Sequence, residues 1–140
     1  MIRVFRLPIA LIALAMLIGA CGTTPDWPGT FTPVTLPALG DAVAGKALFQ
    51  AGTLQATACS ACHVVDSSPV ESGPSLAGVA ARAESGWSGH SATDYLFRAI
   101  VYPNAHVVSG YSANLMPANY GQTLSGQQIR DMIAYLLTLK

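Results

Sequence analysis

The clearest period in the chain lies near its C-terminal end. Ile129, Met132, Ile133, Leu136 and Leu137 recur at i, i+3, i+4, i+7 and i+8, an apolar stripe along one helix face. Ser125-Gly126-Gln127-Gln128 has the form of a capping box in front of it. A first helix is expected over Asp41–Ala51, with Asp41 as N-cap. Val43, Ala47 and Leu48 share one face of it, and Gly45 and Phe49 share another at i, i+4. A mid-helix glycine costs about 1 kcal/mol relative to alanine, so Gly45 points to another backbone close by. Simple tolerance of one glycine is the plainer account. Ser91-Ala92-Thr93-Asp94 is again a capping box in form, opening a helix through Tyr95, Leu96, Arg98, Ala99 and Ile100 that Pro103 stops. No run alternates with period two over a convincing length, so the domain is expected to be all-α.

The N-terminal forty residues follow a different pattern. Met1–Arg6 is short and basic, and Leu7–Ala20 is an unbroken apolar run of fourteen residues. That is too short to span a bilayer as a helix and fits the core of a signal peptide, residues 1–20. The run ends Leu17-Ile18-Gly19-Ala20-Cys21, which resembles the bacterial lipobox. There the cysteine thiol receives diacylglycerol and cleavage leaves the cysteine as the new N-terminus. An ordinary signal peptide with a chance cysteine, or an uncleaved anchor, are the competing readings. Residues 21–40 carry Pro25, Pro28, Pro33 and Pro37 among threonines and read as a semi-extended tether. At about 3.1 Å per residue it reaches on the order of 50–60 Å from the membrane. A structured arm anchored by Trp27 and Phe31 on a partner subunit is the other possibility. The folded domain is then residues 41–140.

Between the helices lie the residues with chemistry. Cys59-Ser60-Ala61-Cys62-His63 reads as a covalent c-type haem site: each thiol adds to one porphyrin vinyl group and His63 becomes the proximal iron ligand. A proximal histidine needs its second nitrogen satisfied, because that bond fixes tautomer and ring orientation. A backbone carbonyl in the turn-rich loop Gly73–Gly78 is a reasonable acceptor, and that of Pro74 is available. From Pro103 to Thr123 no helical or strand period is visible, and a loop that long inside a compact domain is usually functional. It contains Met116-Pro117. A thioether in the sixth position raises the reduction potential and closes the iron to substrate. Met116, 53 residues after His63, is the candidate. Met132 belongs to the apolar stripe, and Met1 and Met16 leave with the signal. His106, in the same loop, competes, and its ligation would lower the potential; His90, before a helix cap, is a weaker competitor. Trp87, Arg98, Tyr111 and Tyr120 are candidates for lining the pocket or touching the propionates, and equally for ordinary core or surface positions.

Composition sharpens this. The 51% apolar content is inflated by the N-terminal run, and charged residues make up only 10%. Without residues 1–20 the chain holds five basic residues (Lys46, Arg82, Arg98, Arg130, Lys140) and seven acidic ones, a formal −2. That excludes a nucleic-acid footprint, which needs a basic face, and leaves little long-range steering. Encounter with partners is therefore expected to rely on tethering and apolar contact. All three cysteines are accounted for, Cys59 and Cys62 by haem and Cys21 by lipid, so no disulfide is expected.

With these residues assembled, residues 41–140 resemble the class I cytochrome c family. The matching positions are Cys59, Cys62 and His63; Gly73-Pro74-Ser75-Leu76; Met116-Pro117-Ala118; and a last helix carrying Tyr135. The resemblance implies three to five helices wrapped around one covalent haem c. It assigns Pro74 as acceptor from His63 and packs Gly45 and Phe49 against Tyr135. The stretch Ala99–Tyr111 with Met116-Pro117 and Tyr120-Gly121 is similar to membrane-attached respiratory cytochromes, among them the monohaem lipoprotein subunit of alternative complex III and the domain fused to subunit II of some haem–copper oxidases. The chain lacks the copper-binding domain of the latter and the lysine-rich face of mobile mitochondrial cytochromes. The expected function is one-electron transfer on the outer face of a bacterial membrane, held there by lipid on Cys21. Other redox proteins are the expected partners, in or docked to a quinol-oxidising complex, with no small-molecule substrate. An independent lipid-tethered shuttle to an oxidase is the nearest alternative. A haem enzyme or ligand sensor needs a labile sixth position and a distal acid/base, and no residue near Met116 supplies an obvious one. A thiol–disulfide protein needs a βαβ scaffold that the pattern lacks.

Overall fold

The computed structural model describes residues 40–68, 72–85 and 90–140. The signal segment, Cys21, the tether to Leu39 and Trp87 lie outside the described residues. Those described form five helices and no strand: α1 (Ala42–Ala51), α2 (Val79–Ser85), α3 (Ala92–Val101), α4 (Tyr120–Thr123) and α5 (Gly126–Leu136), with a 3-10 turn at Cys59–Ala61.

Helix α1 starts where Asp41 Oδ1 accepts from the backbone N–H of Val43 at 2.8 Å and Ala44 at 3.3 Å. It stops at Gly52, whose φ of 63° lies in the left-handed region. Its buried positions are Gly45 and Phe49, while Val43 is 79% exposed. The apolar grouping of Val43 with Ala47 therefore faces solvent; the packing face is the one with the glycine. The reason is α5. A Cβ on Gly45 would lie 1.9 Å from the carbonyl oxygen of Asp131, and one on Gly40 would lie 2.1 Å from that of Arg130. The two helices touch backbone to backbone, and only glycine permits it. One turn further, the Phe49 and Tyr135 rings meet at 5.5 Å and a 58° tilt, a pair worth about 0.5–1.5 kcal/mol beyond its buried area.

The N-terminus of α1 is also pinned electrostatically. Asp131, buried on α5, accepts the Asp41 backbone N–H at 2.8 Å and the Gln127 amide at 2.7 Å through Oδ1. A carboxylate can be buried there because its oxygen is doubly bonded to donors. Helix α5 carries the full capping box between Ser125 and Gln128, and its stripe Ile129, Met132, Ile133 and Leu136 is buried. In α3 the box is half closed. Ser91 Oγ accepts from Asp94 N at 3.1 Å, but the Asp94 carboxylate pairs instead with His90 and with Arg98 Nε at 3.2 Å.

Helices α2 and α4 have no counterpart in the sequence pattern, the latter inside a stretch expected to be irregular throughout. They are seven and four residues long, too short to display a period. Helix α4 holds to α3 through Gly121, where a Cβ would lie 2.7 Å from Val101 Cγ1.

Gly45→Ala gains about 1 kcal/mol of helix propensity yet is expected to lose about 1–3 kcal/mol net, because the new methyl meets a carbonyl and not a movable side chain. Guanidinium unfolding checks this; a variant as stable as the parent would mean the helices can part without loss.

Candidate haem site

The stretch from α1 to the cysteines is folded locally. Thr53 Oγ1 accepts from the N–H of Gln55 at 3.1 Å and of Ala56 at 2.9 Å, a side-chain turn that reverses the chain. The Cys59 carbonyl then accepts from both Cys62 N at 3.1 Å and His63 N at 2.9 Å. This single turn leaves Ser60 and Ala61 exposed, while Cys59, Cys62 and His63 line one cavity of about 290 Å³. Ser60 Oγ donates to Gln50 O at 3.2 Å, tying the turn back to α1.

His63 Nδ1 lies 2.8 Å from the carbonyl oxygen of Pro74. A carbonyl can only accept, so Nδ1 is the donor, and in the neutral ring that leaves the lone pair on Nε2, the form a metal needs. The Pro74 loop is held hard against the ring. A Cβ on Gly73, which is buried, would lie 2.9 Å from His63 Cε1 and 3.0 Å from Cys62 O. Leu76 N donates to Val64 O at 2.8 Å, and Ser75 Oγ donates to Asp66 O. Arg82, on α2, donates to the carbonyls of Ser75 at 2.8 Å and of Ala77. No sequence period marked Arg82, since its role lies in backbone carbonyls brought to it by the turn at Gly78.

Met116, half-buried and packed on the core, lines the same cavity. The structure thus gathers Cys59, Cys62, His63, Pro74 and Met116 around one space. Met132 is in the core as expected, and it also forms part of the cavity wall with Leu136. Tyr120 is buried, lines the cavity and donates to Thr57 O at 3.1 Å, which ties α4 to the approach to Cys59. Burial chiefly, with the two cysteines adding, pushes the Tyr120 phenol above its usual value. Tyr111 and His106 also line the cavity, whereas Arg98 and His90 are engaged with Asp94 at the start of α3 and do not. Sequence reasoning missed Asn104, Asn114 and Tyr95, all on the cavity wall.

The walls are mostly apolar, and an imidazole, a thioether and two thiols are among the groups that line them, which fits a flat hydrophobic macrocycle with a metal centre. The same environment argues against redox use of the thiols. Burial pushes the Cys59 thiol up to about 11, with Cys62 adding to the rise against its own backbone hydrogen bond. Exchange-active cysteines show the opposite shift, beside a cation or at a helix N-terminus. Among the described residues no helix is long and apolar enough to cross a membrane.

A model of the cytochrome c family matches residues 42–140. A search of curated proteins finds no matching relative.

Gly73→Ala is expected to lever the Pro74 loop off the imidazole. The His63 Nδ1–H signal in NMR should exchange faster with solvent, and unfolding should lose about 1–3 kcal/mol. An unchanged ring N–H would mean that the loop does not depend on this contact.

Proposed function

The chain belongs to the cytochrome c family, and from that premise we propose that it is a lipid-anchored monohaem electron carrier on the outer face of a bacterial membrane, a subunit of, or docked to, a quinol-oxidising complex. Members of the family bind one covalent haem c through Cys-x-x-Cys-His and carry electrons, typically outside the cytoplasm; Cys59, Cys62 and His63 fit that motif. The bound group supplies a one-electron couple. The protein supplies its attachment, its axial ligands and its shielding from water.

The reading is supported by His63 and Met116 lining the same cavity, with His63 Nδ1 donating to Pro74 O at 2.8 Å. In this reading Cys59 and Cys62 hold the porphyrin through thioether bonds. His63 Nε2 would bind the iron, with the Pro74 carbonyl, which accepts from Nδ1, orienting the ring. Met116 would supply a thioether as the second protein ligand, which would raise the potential and close the iron to substrate. A rigid proximal side favours electron transfer, because little has to rearrange between oxidation states. The membrane location rests on Leu7–Cys21, and the fixed-subunit reading on the scarcity of charge: 10% of residues, with lysines only at 46 and 140. Passing electrons on to a soluble carrier or a terminal oxidase follows from that placement.

A pyridine haemochrome spectrum of the washed, denatured protein is expected to be of c type, and its absence would sink the reading. Met116→Ala should keep the covalent haem while lowering the potential and opening the ferrous form to carbon monoxide. Cys21→Ser should move the protein from the membrane to the soluble fraction, and turnover with the partner complex should vary little with ionic strength. A steep salt dependence would favour a freely docking shuttle instead.

A further inference from the structure

The run from Pro103 to Asn119 joins α3 to α4 and carries both side chains able to compete for the sixth position, His106 and Met116. It has no regular secondary structure of its own. Its main cross-link is a reciprocal pair of bonds between two asparagines. Asn104 Nδ2 donates to Asn114 Oδ1 at 3.0 Å, and Asn114 N donates to Asn104 Oδ1 at 2.7 Å. Asn104 thus spends both ends of its amide on one residue. Asn114 has φ of 65°, the one non-glycine among the described residues in the left-handed region, where asparagine is tolerated and most residues are not. Both asparagines border the main cavity.

This clasp divides the loop. His106 lies inside the closed segment 104–114, its ring edge-on to Tyr95 of α3 at a centroid distance of 6.0 Å. Met116 lies two residues outside, followed at once by Pro117. With the clasp closed, the chain leaves Asn114 in a set direction and delivers Met116 from a fixed point. With it open, the sixteen residues from 104 to 119 lose the bond pair that separates the two donors, and exchange costs only the release of His106 from contacts such as that with Tyr95. An imidazole is then the stronger competitor, since it suits iron in either oxidation state, while a thioether is the soft ligand that favours the reduced form.

We infer that the Asn104–Asn114 clasp is a positioning element that keeps Met116, and not His106, in the sixth position. The inference rests on the reading of Met116 as axial ligand. The exchange it prevents replaces one neutral two-electron donor by another: the sulfur–iron bond breaks, a nitrogen–iron bond forms, and no electron or proton is consumed.

The test uses the holoprotein, read in the ferric state by the sulfur-to-iron charge-transfer band and by electron paramagnetic resonance. Asn104→Ala removes both bonds. Asn114→Gly keeps the positive φ and the N–H donor and removes one. The ratio of nitrogen-ligated to sulfur-ligated haem is expected to rise roughly tenfold in the first and roughly threefold in the second, as for the loss of two and one exposed hydrogen bonds. The nitrogen-ligated species should vanish in N104A/H106Q. Absence of the band in the unsubstituted holoprotein would overturn the assignment of Met116 itself. A band present there and undiminished in N104A would overturn the clasp alone, as would a nitrogen-ligated species that persists without His106. A lower unfolding midpoint with an unchanged ligand signature would make the pair merely structural, and equally overturns the inference.

Discussion

Everything in this domain hangs on the contact of α1 with α5 at Gly45. A backbone-to-backbone crossing fixes the angle and height of two helices at once, because a gap of one methyl group cannot be absorbed by side-chain adjustment. From α1 the chain passes through Gly52 and the Thr53 turn directly into the cysteine motif, so the crossing sets where Cys59 and Cys62 emerge. From α5 come Met132 and Leu136, two residues of the cavity wall. The buried Asp131 makes the crossing directional as well as close. Its Oδ1 accepts the N–H of Asp41, the residue that caps α1, so sliding the helices past each other would strand a carboxylate in the interior.

The two sides of the cavity are built by different means. The His63 side is overdetermined: a buried glycine against the ring, a carbonyl on Nδ1, and three further anchors on the loop that carries the carbonyl. Those anchors all end on backbone carbonyls, two of them held by Arg82. The Met116 side is a long loop whose main internal cross-link is made of two amides. A site so constructed has one candidate ligand braced from several sides, His63, and one, Met116, on a loop held by a few bonds.

What could be read from the residues and what could not divides along the same line. Caps, the apolar stripe of α5 and the odd glycine of α1 act over one to three turns, and each left a mark in local pattern: Asp41, Ser125 with Gln128, and Gly45 all stand where expected. The buried face of α1 was less plain, because its packing position is a glycine and contributes no hydrophobic signal, so Val43 looked more interior than it is. The box of α3 is half open for a different reason, its Asp94 carboxylate being paired with His90 and Arg98. The Arg82 and Asn104–Asn114 contacts depend on chain reversals at Gly78 and within the loop, which no local periodicity encodes. For the candidate site, the sequence nominated five residues, and the fold brings those five to one cavity. The polar residues that brace them became visible only in three dimensions.

The distribution of charge completes the argument about how such a domain meets a partner. Asp131 is interior, Asp94 is shared between His90 and Arg98, Arg82 is turned onto its own loop, and Asp66 is held ionised below the usual carboxylate range by the side chain and N–H of Ser68. The exposed charges among the described residues, such as Asp66, Glu84, Lys46 and Lys140, are few and of both signs, which makes for a weak field. What the loop presents beside the cavity is Val107, Val108 and Leu115, the last 56% exposed. An apolar rim of this kind gives no guidance at a distance and rewards contact only once made. For a free carrier that is a slow way to find a partner. Under the proposed lipid anchoring, local concentration would replace steering, and a weakly charged face would then be sufficient.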